Sequence, residues 1–318
     1  MAKNTKLFIV IPCYNEQEVL HETADRLEQK IHSLAHRGLI SEDSRIMFVN
    51  DGSKDDTWSI IEELNRKNSL FCGVSLSRNR GHQNALLAGL FTAAGYEPDA
   101  VISIDADLQD DINAIDGMID AFKEGYDVVY GVRSKRDTDT FFKRFTAEGF
   151  YRVMDSLGVE TVFNHADYRL LSLRALNGLM QFKEVNLFLR GIVPQIGFKS
   201  TSVEYERSER FAGESKYPLK KMLALAWDGI TSFSDKPLGL VLACGIGMTF
   251  ISFCSLIALV VLACCAVSFS DALWIAAAVL FTGGIQLMGT GIVGQYVGKT
   301  YKETKARPRY IIDEVLYR

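Results

Sequence analysis

Residues 100–111 read AVISIDADLQDD. A short run of apolar, mostly β-branched side chains stops abruptly at a cluster of Asp, the pattern of a buried strand with an acidic loop at its carboxyl end. The same pattern recurs on either side. Leu7–Ile11 ends in Pro12-Cys13-Tyr14-Asn15-Glu16, Arg45–Asn50 in Asp51-Gly52-Ser53, Cys72–Leu76 in residues 77–81, and Asp127–Tyr130 in Gly131-Val132-Arg133. Helix-like stretches follow the first four runs, at Glu16–His36, Asp56–Lys67, His82–Ala94 and Asn113–Lys123. Strand alternating with helix predicts an α/β protein with a Rossmann-like, mostly parallel sheet covered on both faces. Ligands of such sheets sit at the carboxyl ends of the strands, and these strand ends are rich in Asp.

Over the whole chain of 318 residues, 35 Lys+Arg stand against 39 Asp+Glu for a net charge of -4. That balance excludes a strongly basic nucleic-acid binder, and 48% hydrophobic residues exclude a disordered chain. The charge is unevenly spread. No Asp, Glu, Lys or Arg occurs in residues 237–270 or 272–298, and about 20 apolar residues suffice for a helix to cross a bilayer. Two spans are expected, near Leu238–Leu262 and Leu273–Val297, unless these are long buried core helices. Lys220, Lys221 and Lys236 precede the first and Lys299, Lys302, Lys305, Arg307 and Arg309 follow the second. Positive charge at both outer ends predicts a two-span hairpin with a small external turn, and with the large domain and both termini in the cytosol. The expected organisation is a cytosolic domain at 1–216, an amphipathic interface helix at 217–236, the two spans within 237–298 and a basic cytosolic tail at 299–318. The interface helix carries Leu219, Met222, Leu223, Ala226, Ile230 and Phe233 at helical spacing; that stripe suits a lipid surface, the protein's own domain or a neighbouring subunit equally. Glycines 283, 284, 289, 291 and 294 allow close helix approach, so a homo-oligomer, taken as a tetramer, is expected. Six cysteines without a C-x-x-C spacing point to apolar packing rather than disulfides or zinc.

Asp105 and Asp107 are two residues apart, so in an extended segment their carboxylates share one side. Together with water and phosphate they form the all-oxygen shell that Mg²⁺ or Mn²⁺ prefers; a solvated turn with capping Asp is the other reading. No G-x-G-x-x-G follows the first strand and no G-x-x-x-x-G-K-[ST] occurs, which removes the usual backbone cradles for phosphate.

Residues 12–16 (PCYNE), 50–57 (NDGSKDDT) and 105–110 (DADLQD) resemble the nucleotide-sugar signatures of family 2 glycosyltransferases with the GT-A fold. Residues 166–170 (ADYRL), 206–218 (ERSERFAGESKYP), 228–234 (DGITSFS) and 294–308, with the two spans, are similar to bacterial polyprenyl-phosphate glycosyltransferases of the bactoprenol glucosyltransferase type. Dolichol-phosphate mannose synthases resemble it more distantly. Asp111 departs from the Pro that many members place after DLQD, and the Q-x-x-R-W of processive synthases is missing, so a single sugar transfer is implied.

The resemblance implies that Pro12, Tyr14, Glu16, Asp51, Asp105 and Ala106 line the nucleotide-sugar site. It further implies that Asp105, Asp107 and Gln109 serve a Mg²⁺ or Mn²⁺ ion, and that Arg133, Arg210 and Lys216 face the phosphates of donor and acceptor. Asp107, Asp167, Arg210, Lys216 and Arg133 form the expected catalytic set. The implied reaction moves one sugar, glucose first, from a UDP-sugar to undecaprenyl phosphate at the cytoplasmic face; a modified hexose or amino sugar is the alternative donor. A phosphate monoester with a second pKa near ~6 is mostly a dianion at cytosolic pH and needs no strong base, so inverting displacement is expected. Asp167 has three open roles, orienting groups in the site, acting as a base, or pairing with an Arg. A nucleotidyltransferase and an inactive membrane scaffold or transport component are the competing readings.

Overall fold

The structure is a computed structural model, and it describes residues 4–133, 165–185, 188–206 and 271–318, with Val241 and Gly247 in addition. The strands are β1 (Leu7–Cys13), β2 (Arg45–Asn50), β3 (Phe71–Leu76), β4 (Ala100–Ser103), β5 (Val128–Arg133), β6 (His165–Ser172), β7 (Ser200–Tyr205) and β8 (Ile312–Leu316). The helices are α1 (Leu20–His36), α2 (Thr57–Lys67), α3 (His82–Ala94), α4 (Ala114–Lys123), α5 (Leu173–Leu179), α6 (Leu189–Gln195) and α7 (Asp271–Lys305).

The strands form one sheet in the order β7-β5-β6-β4-β1-β2-β3-β8. β1 pairs in parallel with β2 and β4, β2 with β3, and β5 with β7. β6 is antiparallel to both β4 and β5, and β8 is antiparallel to β3. Most strands therefore share a direction, as the sequence predicts, but two reversed strands make the sheet mixed. All seven residues of β1 are buried, because a central strand covered on both faces has no polar side.

Two apolar layers lie on opposite faces of the sheet. On one, α1 turns Leu20, Ala24, Leu27, Ile31 and Leu34 inward at spacings of four and three, and α2 and α4 join it. On the other, α3 packs with α5 and α6. Gly89 lets α3 approach closely, since a Cβ there would stand 2.5 Å from both Val10 Cγ1 and Val49 Cγ2. This contact seats the amino end of α3 at the carboxyl edge of the sheet.

The expected basic tail is built into the sheet. Its residues 312–316 add strand β8 beside β3, Tyr317 stacks on Tyr96 with ring centroids 3.8 Å apart, and Ser77 N donates to Ile311 O at 3.0 Å. The Glu303 carboxylate, in the last turn of α7, accepts the Val185 N–H at 3.0 and 2.8 Å. The domain thus includes chain from well beyond residue 216. Among the described residues no helix is long and apolar enough to cross a membrane. α7 runs over the second expected span; the first span, Val241 and Gly247 apart, and the expected interface helix at 217–236 lie outside the described residues. Cys13 and Cys72 are buried and free, in keeping with a packing role.

Candidate active site

The acidic loop follows β4 with strict alternation. Asp105, Asp107 and Gln109 are partly open to solvent, whereas Ala106, Leu108 and Asp110 are buried. Leu108 takes a left-handed backbone, φ 56°, which turns the loop back on itself. The buried positions are tied down from behind. Ala106 O accepts the Thr23 hydroxyl at 2.9 Å, Asp110 Oδ1 accepts the Tyr205 hydroxyl at 2.6 Å, and Asp111 O accepts the Tyr168 hydroxyl at 3.1 Å. Two carboxylates and an amide are left partly open to solvent.

The neighbouring strand ends are stitched together. Asn15, with φ 52°, donates its N–H to Ser53 Oγ at 3.0 Å and accepts Lys54 N–H at 2.9 Å; Glu16 N donates to Thr57 Oγ1 at 3.0 Å. This brings Tyr14 and Glu16 beside the loop after β2, while Pro12 stays buried inside β1 and contributes backbone shape rather than a side-chain contact surface. Asp51 is buried, and its carboxylate accepts the N–H groups of Arg80 at 2.6 Å and Gly81 at 2.9 Å. Burial pushes its pKa up against the pull of those hydrogen bonds. In this structure Asp51 fixes the turn into α3, a role additional to the nucleotide contact implied by resemblance. Gly52 is indispensable to the same turn: φ is +63°, and a Cβ would stand 2.5 Å from Asn79 N.

The turn delivers His82, which sequence reasoning did not single out. Its Nε2 lies 3.5 Å from Asp105 Oδ1 and 3.7 Å from Asp167 Oδ2. Asp167 arrives because β6 is antiparallel to β4, with Arg169 opposite Ser103, so the start of β6 meets the end of β4. Its Oδ1 accepts from Arg169 Nη2 at 2.7 Å, and Arg190 donates from Nη2 to Oδ2 at 3.3 Å and from Nε to Oδ1 at 3.4 Å. Burial pushes the Asp167 carboxyl up, but Arg190, Arg169 and His82 outweigh it and hold the group far below the usual carboxylate range. Of the three roles open at this residue, the geometry carries pairing with Arg, and an anion held this firmly is a poor base.

Asp105 behaves oppositely. Its side chain is 38% exposed, yet desolvation by the surrounding protein pushes its pKa up to about 6; His82 opposes the rise, and Asp110, Asp167 and Asp107 add to it. That crowding of carboxylates is the environment a divalent cation relieves. Among the described residues no three or more His, Cys, Asp or Glu side chains gather into a cage that could hold a metal by themselves. Asp105, Asp107 and Gln109 instead fit a hard cation shared with substrate phosphate, the usual arrangement for Mg²⁺.

Arg133, at the end of β5, is held by Tyr205 and Asp110, with Nε donating to the Tyr205 hydroxyl at 3.3 Å and Nη2 standing 3.6 Å from Asp110 Oδ1. It lies behind the acidic loop, so the structure gives it a loop-holding contact in addition to the phosphate-facing role expected of it. Burial and Asp110 push the Tyr205 phenol well above its ordinary value, so it remains a donor throughout the physiological range. Arg210 and Lys216 lie outside the described residues. His82, Arg190 and Tyr205 are the functional neighbours that sequence reasoning missed. The strand end at 77–81 flagged the place of the first, while Arg190 sits in a seven-residue helix with no signature of its own.

The sequence matches the glycosyl transferase family 2 model over residues 8–179, which hold β2 to β6, nearly all of β1 and the acidic loop. The chain belongs to glycosyltransferase family 2. It is 50% identical over 98% of its length to the uncharacterized glycosyltransferase YkoT of Bacillus subtilis (strain 168), covering 92% of that protein. It is 40% identical to the prophage bactoprenol glucosyl transferase homolog of Escherichia coli (strain K12), over 98% of this chain and 99% of that one. The bactoprenol glucosyl transferase of Shigella phage SfX is 38% identical, over 96% and 98%. Among solved structures, mannosyl-3-phosphoglycerate synthase from Rubrobacter xylanophilus is similar over 70% of this chain and 71% of that one, at 16% identity and a TM-score of 0.46. This family 2 protein is therefore a transferase enzyme that moves a glycosyl group.

Proposed function

We propose that this glycosyltransferase moves a single sugar, glucose first, from a UDP-sugar to undecaprenyl phosphate at the cytoplasmic face of a bacterial inner membrane. The observation that carries this reading is full-length similarity to bactoprenol glucosyl transferases, which extends through the charge-free stretches and not only the catalytic sheet. In this scheme residues 238–262 and 273–297 form the membrane hairpin, residues 217–236 lie along the interface, and copies of the chain associate through the glycine-bearing helix.

The residues divide the work. Tyr14, Glu16 and Asp51, joined by the contacts between the first two strand ends, receive the uridine. Asp105, Asp107 and Gln109 face the diphosphate, where a bound Mg²⁺ or Mn²⁺ would neutralise the charge that develops on departing UDP. Arg169 and Arg190 hold Asp167 ionised, and Asp167 orients His82 and Arg190 toward the reacting groups. Arg210 and Lys216 bind the acceptor phosphate, whose dianion attacks the anomeric carbon from the side opposite UDP. No general base is needed, and the sugar inverts.

Stereochemistry tests this scheme directly. UDP-α-glucose should give a β-linked lipid phosphate, read by the anomeric coupling constant in the NMR spectrum of the product. An α-linked product would eliminate single in-line displacement.

A further inference from the structure

Tyr205 closes β7, and the chain that follows it carries Arg210 and Lys216. Its hydroxyl donates to Asp110 Oδ1 at 2.6 Å and accepts from Arg133 Nε at 3.3 Å. Its ring meets Tyr168 edge-on, with centroids 5.2 Å apart and planes at 77°. Tyr168 in turn donates to Asp111 O at 3.1 Å. The Asp110 side chain is only 2% exposed, so its charge depends on these partners. Among the described residues β7 pairs with the sheet through β5, and this phenol adds a side-chain link from β7 to the acidic loop.

We propose that Tyr205 is a positioning residue for sugar transfer. Its hydroxyl, through Asp110, fixes the acidic loop that carries Asp105 and Asp107 against the end of β7. The inference rests on the reading that Asp105 and Asp107 serve the donor diphosphate. Losing this contact would leave the substrates able to bind and would misplace the donor, and misplacement on the order of 1 Å costs up to about a hundredfold in rate.

Full-length protein in lipid nanodiscs, with UDP-[¹⁴C]glucose, Mg²⁺ and undecaprenyl phosphate, supplies the test. Tyr205→Phe removes one oxygen and keeps the ring. Its kcat per folded enzyme should fall about tenfold or more, with both KM values within about threefold, the signature of lost alignment rather than lost binding. Asp110→Asn should also lose kcat, and the double variant should be no worse than the poorer single one, because both act through one contact. If Tyr205→Phe does not fold, Asp110→Asn carries the same kcat criterion. A merely structural tyrosine would lower the melting temperature and leave kcat per folded enzyme unchanged. Lipid labelling by the wild type with kcat within twofold in Tyr205→Phe, or losses that multiply in the double variant, overturns this inference alone. No lipid labelling by the wild type overturns the proposed transfer and this inference with it.

Discussion

Replacing Asp167 by Asn changes one oxygen to an amide nitrogen and removes one charge, and the structure allows the effect to be worked through. Arg169 has 2% of its side chain exposed and Asp167 15%, so the variant leaves a buried guanidinium without its counter-charge. Removing one partner of a buried ion pair costs roughly 3–5 kcal/mol. The Asn carbonyl still accepts one hydrogen bond, and Arg190 is 35% exposed and partly hydrated, so the lower end, about 3 kcal/mol, is expected. For a domain of this size that is a fall of roughly 6–12 °C in melting temperature.

The pH dependence follows from sign. The folded pKa of Asp167 lies below its unfolded value near ~3.9, so the unfolded chain binds the extra proton first and stability rises with pH through that window. The pair's contribution is complete above about pH 4 and is lost as pH falls through the depressed folded value. The gap between wild type and Asp167→Asn should therefore be flat from neutrality down to mildly acidic pH and close only in strong acid. Kinetically, kcat/KM should drop uniformly across the neutral range. Differential scanning calorimetry and a pH–rate profile make the two readings. A variant as stable as wild type, or one that loses a single acidic limb of the rate profile, would refute the assignment of Asp167 as an arginine-held anion.

Two further outcomes are expected. Gly52→Ala should destabilise by about 2–3 kcal/mol and impair UDP binding, since its Cβ would strike the backbone of residues 78 and 79; Gly38→Ala, also at positive φ (68°) but with nothing within 4 Å, should cost only about 1 kcal/mol. Chemical denaturation with calorimetric UDP binding separates the two. Glu303→Ala removes the acceptor of the Val185 N–H, and hydrogen exchange at that amide should accelerate about tenfold or more, while exchange in β1 stays unchanged.

The strands that were legible in the sequence are those the sheet buries on both faces. β1 through β5 are continuous apolar runs, and the helices between them show their inward stripe directly. β6 escaped because its sequence, HADYRLLS, carries a His, an Asp and a buried Arg and so shows no apolar run, although pairing of Asp167 with an Arg was already one of the readings open from the sequence. β7 (STSVEY) and β8 (IDEVL) are edge strands with solvent on much of their surface, so neither needs an apolar run. The open positions of Asp105, Asp107 and Gln109 match the alternation expected from the sequence, but these residues form a loop beyond β4, and the turn at Leu108 and the contacts of the buried residues set it rather than a strand's period. The contributions of His82 and Arg190 were not legible, because an antiparallel strand inserted between β4 and β5 decides which helix ends face Asp105, and that topology has no local signature.

The central claim is that this chain joins a nucleotide-activated sugar to a polyprenyl phosphate. Purified protein, incubated with Mg²⁺ or Mn²⁺, undecaprenyl phosphate and a panel of radiolabelled UDP-sugars, should transfer label into the organic phase. One donor, UDP-glucose first, should lead by a wide margin, and transfer should cease on chelation of the metal or in Asp107→Ala. Folded, UDP-binding protein that leaves all label in the aqueous phase with every donor would contradict the account.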